Sequence, residues 1–413
     1  MAIELEPPKD KWNLIYMTLI FLGLATLVPW NMFITAKDYF VKYKLVDQPD
    51  LADNFLAYIG WASQLPNVVF NWLNVFLHIG GNLTTRIVWS LCIETGIFIF
   101  TVMLAMLDTQ DIPAVFFWVT MISVLFLNAF NAIFQNSVYG VAARLPSRFT
   151  GAILSGSNVC GTLVVFVDWG SHMFGSKRTA AIYYFITGIL VLLVCLDTFL
   201  ALPLNRFYRY YDTLHKRTVR ASVVASAPGA PQAAQRIPYW TIAKQARVQL
   251  YNIFTIFFVT LAIFPSVHSE IKPNTDGFLG NNFVRITCFL TFNFMAMIGN
   301  ITASMWQYPT RHWLSVFTTA RFLFIPFFLF CNYKPDERQL PVLVTNDYVY
   351  WIGSALLGWT SGLGSSLGMM YVIGGDVPPE HASTAGMLGS ATLVSGILAG
   401  LLVTYVCPLL VGV

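Results

Sequence analysis

Stretches of about twenty apolar residues, the length a helix needs to cross a bilayer, follow one another along this chain with mostly short polar gaps between them. That pattern constrains the fold more than any motif does. Lipid offers no hydrogen-bond partner to a free backbone amide, so a segment at that depth must be a helix or part of a closed barrel. The stretches are too long for tilted barrel strands, which leaves helices. Composition agrees: of 413 residues, 56% are hydrophobic and 11% are charged, against roughly 25% charged in a soluble domain. Disorder, a secreted disulfide scaffold and nucleic-acid binding all fit poorly. The chain reads as an all-α, multi-span integral membrane protein.

Counting on this rule gives eleven expected spans, roughly 12–36, 55–79, 86–107, 113–139, 149–171, 179–204, 248–268, 283–307, 312–331, 347–373 and 384–411. Lys and Arg are in excess in the loops on the N-terminal side, most of them between 206 and 247. The positive-inside rule then puts the N-terminus in the cytoplasm and, with an odd number of spans, the C-terminus outside. The stretch 205–246 is the one sizeable polar segment. Its basic flanks enclose ASVVASAPGAPQAAQ, which cannot bury a core and is expected to be flexible; the flanks suit anionic lipid. It divides the chain into bundles at 1–204 and 247–413. A short internal likeness, LATLVP from Leu24 and LAIFP from Leu261, suggests two parallel halves.

Function in a membrane protein is most legible where polar side chains are tolerated at depth. In the second span Gln64, Asn67, Asn71, Asn74 and His78 recur at steps of three and four and share one helix face. Asn128, Asn131 and Gln135, with Ser137 just beyond, do the same in the fourth. Gly151, Ser155, Asn158 and Thr162 line a face of the fifth, and Phe289, Asn293, Ala296 and Asn300 a face of the eighth. Each stripe serves either as interhelical glue or as the wall of a pathway. Four of them together point to a shared hydrated cavity, and amides suit a neutral solute because each offers both a donor and an acceptor.

Glu94 in the third span and Arg321 in the ninth are among the few charges at depth. Glu94 is read as a proton relay or a cation-holding group, as one half of an ion pair with an arginine, or as a protonated acid. No filter-like repeat or ring of acids suggests a channel. No nucleophile elbow, P-loop or zinc-protease motif suggests an enzyme. The six cysteines show no metal-ligand spacing, and neither cofactor nor metal is expected. The GWTSG run at Gly358–Gly362 reads as close helix packing.

Several segments resemble the equilibrative nucleoside transporter family. They are LGLATLVPWNMFITAKDYF (Leu22 to Phe40), FQNSVYG (Phe134 to Gly140), CFLTFN (Cys288 to Asn293), ARFLFIPFFLFCNYKP (Ala320 to Pro335) and STAGMLG (Ser383 to Gly389). They run in family order from the first span to the eleventh, around the same long loop. The resemblance implies a major-facilitator-like 6+5 arrangement and passive, sodium-independent passage of purine and pyrimidine nucleosides, in some members nucleobases, by alternating access. It also implies a monomer in the plasma membrane, in contact with lipid and not with nucleic acid. Carried over by position, the substrate site comprises Leu27, Trp30, Asn31 and Ile34, then Gln64 and Asn67, then Gln135 and Ser137. Phe264, Phe289 and Asn293 complete the other half. Gln135 is expected to touch the edge of the base, and Trp30 to form a wall and gate.

One departure stands out. Ala296 and Asn300 occupy positions where studied members of the family carry an acid and an arginine that engage the sugar. Neutral hydrogen bonds of about 0.5–1.5 kcal/mol would replace charged ones of about 1.5–3 kcal/mol. Weaker affinity or a shift toward nucleobases is the expected consequence. A carrier of nucleobases or organic cations using the same cavity, proton-linked through Glu94, is the alternative reading. A receptor or structural subunit without flux is the alternative from a different class.

Overall fold

The computed structural model describes residues 7–46, 48–77, 81–107, 109, 111–171, 176–226, 237–275, 277–375 and 377–412. The expected His78 and the low-complexity residues 227–235 lie outside the described residues. The first six long helices are α1 (Leu14–Thr35), α2 (Phe55–Leu77), α3 (Leu83–Met106), α4 (Pro113–Ala142), α5 (Arg148–Ser171) and α6 (Lys177–Ala201). Next come α7 (Arg206–Ser226) and α8 (Tyr239–Ile263). A π-helical turn at Arg285–Leu290 leads into α9 (Thr291–Met305). They are followed by α10 (Leu314–Ala320), α11 (Phe324–Leu329), α12 (Asp347–Ile373) and α13 (Ala382–Thr404).

Local chemistry sets several of the helix starts. Asp10 accepts from the backbone N–H of Ile15 and Tyr16 ahead of α1. Asn82 caps α3 through the Thr85 N–H, and Asn346 caps α12 through the Tyr348 N–H. Pro113 opens α4, where its missing N–H costs nothing.

Eight helices among the described residues are long and apolar enough to cross a bilayer. The other expected spans are helical too, but differ in ways the residues explain. The amides of α2, and the Ser, Gly, Trp and Tyr residues of α12, dilute their hydropathy. The 312–331 stretch is interrupted by a 3-10 turn at Arg321–Leu323. There the Arg321 guanidinium donates to the Ile256 carbonyl and the Thr260 hydroxyl, each at 2.9 Å, and to the Thr360 hydroxyl at 3.2 Å. This buried cation therefore ties α8 to α12 through neutral oxygens.

The 205–246 stretch also needs correcting as a loop. Its first flank is the 21-residue helix α7, and α8 begins at Tyr239. The physical reason is amphipathicity. Phe207 and Tyr208 are buried, and Phe207 packs against Phe149 at 5.1 Å and Tyr211 at 4.8 Å. Arg206, Arg209, Lys216, Arg217 and Arg220 are all exposed.

The helix pairings repeat along the chain. α1 packs along α5 as α8 packs along α13, and α2 packs along α4 as α9 packs along α12. Across the molecule α5 meets α9 and α12, and α13 meets α2 and α4. The α9–α12 contact is close because of the GWTSG glycines: a Cβ on Gly362 would collide with the Ala296 carbonyl, and one on Gly358 would come within 2.6 Å of the Phe292 carbonyl.

Candidate functional site

Where α1, α2, α4 and α5 face α8, α9, α12 and α13, they enclose a cavity of about 390 Å³. That lies within the roughly 300–1,000 Å³ typical of small-molecule sites. From α1 come Leu27, Trp30, Asn31 and Ile34, spaced three, one and three so that they share a face. α2 adds Gln64 and Asn67, and α4 adds Asn128, Asn131 and Gln135. The opposite wall is aromatic: Phe264 stacks on Phe292 with ring centroids 4.0 Å apart, and meets Phe289 edge-on at 5.8 Å. Asn293 lies beside them. A flat apolar ring can lie against such a wall while amides address its edge.

Eight of the nine polar and aromatic positions carried over from the family, together with Leu27 and Ile34, therefore meet around one hollow; Ser137 does not. Ser137 is fully buried and its Oγ lies 3.4 Å from Asn74 Nδ2. Ala296 and Asn300 do not line the cavity either. Ala296 is buried against α12, and Asn300 accepts from the Ser366 hydroxyl at 2.9 Å. The missing acid and arginine thus leave no gap in the cavity wall. Glu94 stands apart, fully buried, with neither carboxylate oxygen partnered among the described residues. Of the alternative readings of Glu94, the ion pair with an arginine is not seen among the described residues.

Sequence reasoning missed part of the wall. Arg285, at the edge of the expected 283–307 span, lines the cavity at the π-helical turn. It stands four residues before Phe289, as Phe289 stands before Asn293, so the spacing of that stripe extends to it. Phe257 and Thr260 from α8, and Ser361 and Ser365 from α12, also line it. Their signal is weak, because small hydroxyl residues are ordinary in membrane helices. Among the described residues no group of three or more His, Cys, Asp or Glu side chains is placed to hold a metal ion.

On α4 the cavity lining runs as far as Tyr139, and beside it the helices seal through residues turned to the other faces. Asn136 donates to Asn71 Oδ1 at 3.2 Å and to the Met387 carbonyl at 2.9 Å, and accepts from Asn74 at 3.1 Å. Ser390 on α13 also donates to Asn71 Oδ1, at 3.0 Å, and Trp72 donates to Ser395 at 2.9 Å. Asn71, Asn74 and Asn136 are all fully buried. At the rim of the sealed end Ser383 donates to the Gly140 carbonyl at 2.9 Å, and Arg144 donates to Ser383 at 3.2 Å.

Arg144 also reaches α7, where Asp212 accepts from it at 2.9 Å and from Lys216 at 2.6 Å. Burial alone would raise the Asp212 carboxyl; the hydrogen bonds from Lys216 and Arg144 outweigh it and hold the group below the usual carboxylate range. Burial, with Arg144 nearby, pushes His215 down to about 4.

The helical bundle and its enclosed, sealed-at-one-end cavity define a membrane carrier. The fold matches solved transporters: a major facilitator superfamily proton:xylose symporter (TM-score 0.63, 12% identity, 97% of this chain and 90% of that one) and the human organic anion transporter MFSD10 (TM-score 0.55, 13% identity, 97% and 95%). In sequence the chain is similar to human (Homo sapiens) equilibrative nucleoside transporter 1, with 27% identity over 96% of this chain and 97% of that protein. It is 29% identical to human equilibrative nucleoside transporter 2, again over 96% and 97%. It is 28% identical to equilibrative nucleoside transporter 3 of Rattus norvegicus, over 93% and 86%. The profile of the Nucleoside transporter family matches residues 121–409, and the chain belongs to that family. Its activity is transport, not catalysis.

Proposed function

We propose that this protein is a facilitative, sodium-independent nucleoside carrier that works by alternating access. The observation that carries the reading is the cavity itself, an amide edge facing an aromatic wall between two sets of helices that pair in the same way. In this reading eleven helices cross the membrane, with the N-terminus in the cytoplasm and the C-terminus outside. Residues 1–204 and 247–413 are the two rocking bundles, and 205–246 lies in the cytoplasm. The sealed end around Asn71, Asn136 and Ser390 is then the closed cytoplasmic gate, and the cavity opens outward. Leu27, Trp30, Asn31, Ile34, Gln64, Asn67, Gln135, Phe264, Phe289 and Asn293 form the substrate site. Trp30 and the phenylalanines hold the base, and Gln135 reads its edge. Ser137, Ala296 and Asn300 act behind the wall. The protein is read as a plasma-membrane monomer surrounded by lipid.

Uptake of radiolabelled uridine, adenosine and adenine into transporter-null cells, with and without a sodium gradient, tests this directly. Saturable nucleoside uptake that ignores sodium is expected. Saturable adenine uptake without nucleoside uptake would replace the reading with the nucleobase alternative.

A further inference from the structure

Helix α7 lies outside the cavity, yet it touches both halves of the molecule. It has little freedom at its start. α6 ends at Ala201, the 3-10 turn Leu202–Leu204 follows, and Asn205 caps the new helix by accepting from the Phe207 N–H at 2.8 Å. Phe207 then packs on Phe149 at the start of α5, so this end belongs to the first half. Further along, α7 lies against the turn Pro379–His381 just ahead of α13, in the second half. His215 bonds to the Pro379 backbone there; proline has no N–H, so the imidazole donates and the carbonyl accepts.

A continuous run of polar contacts joins α7 to the sealed end. Lys216 and Arg144 both donate to Asp212, at 2.6 and 2.9 Å. Arg144 uses Nη1 for Asp212 and Nε for the Ser383 hydroxyl at 3.2 Å. Ser383 gives its one proton to the Gly140 carbonyl at 2.9 Å, so toward Arg144 it can only accept. Asp212 thereby holds the guanidinium where it crosses to α13. One turn deeper, Met387 is buried against Gly140. For the sealed end to open, α4 must part from α13, and the Arg144–Ser383 and His215–Pro379 contacts then break together. None of them is strong. The side chains of Arg144 and Asp212 are 21% and 17% exposed, so their pair is worth little more than one at the surface. Contacts of that strength bias a gate without locking it.

We infer that α7 is a latch: docked across the sealed end it favours the closed state of the inner gate, and its release lets that end open more often, so that transport is regulated through this helix. The inference rests on the alternating-access reading above.

The test uses the full chain, otherwise free of cysteine, with Met387→Cys as the reporter. Inside-out membrane vesicles are treated with a membrane-impermeant thiol reagent, so that labelling of the buried position follows how often the inner end opens. Asp212→Asn weakens the latch at Arg144, and His215→Ala cuts it at Pro379. Labelling is expected to rise about fivefold with the first and about threefold with the second. Both variants should elute from gel filtration as the parent does, which separates release of α7 from unfolding. Labelling unchanged by both substitutions would overturn the inference, and alongside normal adenosine uptake it would leave the transport reading standing. A rise confined to aggregated protein would overturn the inference as well. Absence of adenosine uptake by the parent chain would overturn the nucleoside reading, while faster labelling in both variants would still support the latch.

Discussion

Gln64 and Asn67 face an open hollow, whereas Asn71 and Asn74, one and two turns further along the same face of α2, are locked in solvent-free contact with α4. The stripe through α9 divides in the same way: Asn293 lines the cavity and Asn300 bonds to Ser366 behind it. The fourth helix divides by face instead: Asn128, Asn131, Gln135 and Tyr139 line the cavity, and Asn136 and Ser137, on its other faces, pack into the seal. A polar stripe in a membrane helix is therefore not simply glue or pathway. One face serves as both, and the boundary falls where helices of the second half close against it. An amide suits both tasks because it can bind a solute while the gate is open and another helix when it is shut.

Substitutions on the two sides of that boundary should fail differently. The largest effect is expected from Asn136→Ala, which leaves Asn71, Asn74 and the Met387 carbonyl short of partners. Loss of stability on the order of 2 kcal/mol should show as a lower melting temperature in detergent. A melting temperature equal to wild type would mean that the sealed network carries little. Its neighbour Gln135→Ala should do the reverse, leaving the melting temperature unchanged while uptake efficiency falls about tenfold, the worth of one or two lost hydrogen bonds. If both variants behaved alike, the division would be wrong.

Smaller changes sharpen the picture at the rim. Asp212→Asn removes the partly buried ion pair with Arg144 and the exposed one with Lys216 and should cost about 1 kcal/mol, read as increased reactivity of a cysteine placed at Ser383. Acid should act in the same direction. Asp212 has a depressed pKa, so its contribution is complete at neutral pH and is lost as the pH falls through that lowered value. His215, held neutral by its surroundings, disfavours the docked helix increasingly as the pH drops from the ordinary histidine value of 6.5 toward about 4. The smallest effect is expected from Glu94→Gln. Because Glu94 does not line the cavity, uptake and its pH profile should stay within about twofold of wild type, less than a single net hydrogen bond. A collapsed pH profile would restore proton coupling as a live mechanism.

Much of this was legible in the residues. Apolar length located the helices to within a few positions, except that α8 begins at Tyr239, ahead of the expected 248. There Lys244 and Arg247 lowered the apparent hydropathy of a helix that continues beyond its apolar part. Residues 206–226 read as a charged loop because net polarity was weighed above the spacing of Phe207, Tyr208 and Tyr211, which a helix places on one side. The cavity amides were visible through their three-and-four spacing. What periodicity could not supply was the wet–dry boundary along one stripe, since Asn67 and Asn71 share a face of α2 and differ only in what closes over them. Arg285 was missed because a charge at the edge of a span looks like topology until the π-helical turn brings it to the wall.

The most direct test places single cysteines at Asn67 and Asn71 in a chain otherwise free of cysteine, and treats intact cells with a membrane-impermeant thiol reagent. The account predicts rapid labelling at position 67, slowed by adenosine, and little labelling at position 71. Equal labelling at both positions, or labelling at 67 that adenosine leaves untouched, would contradict it.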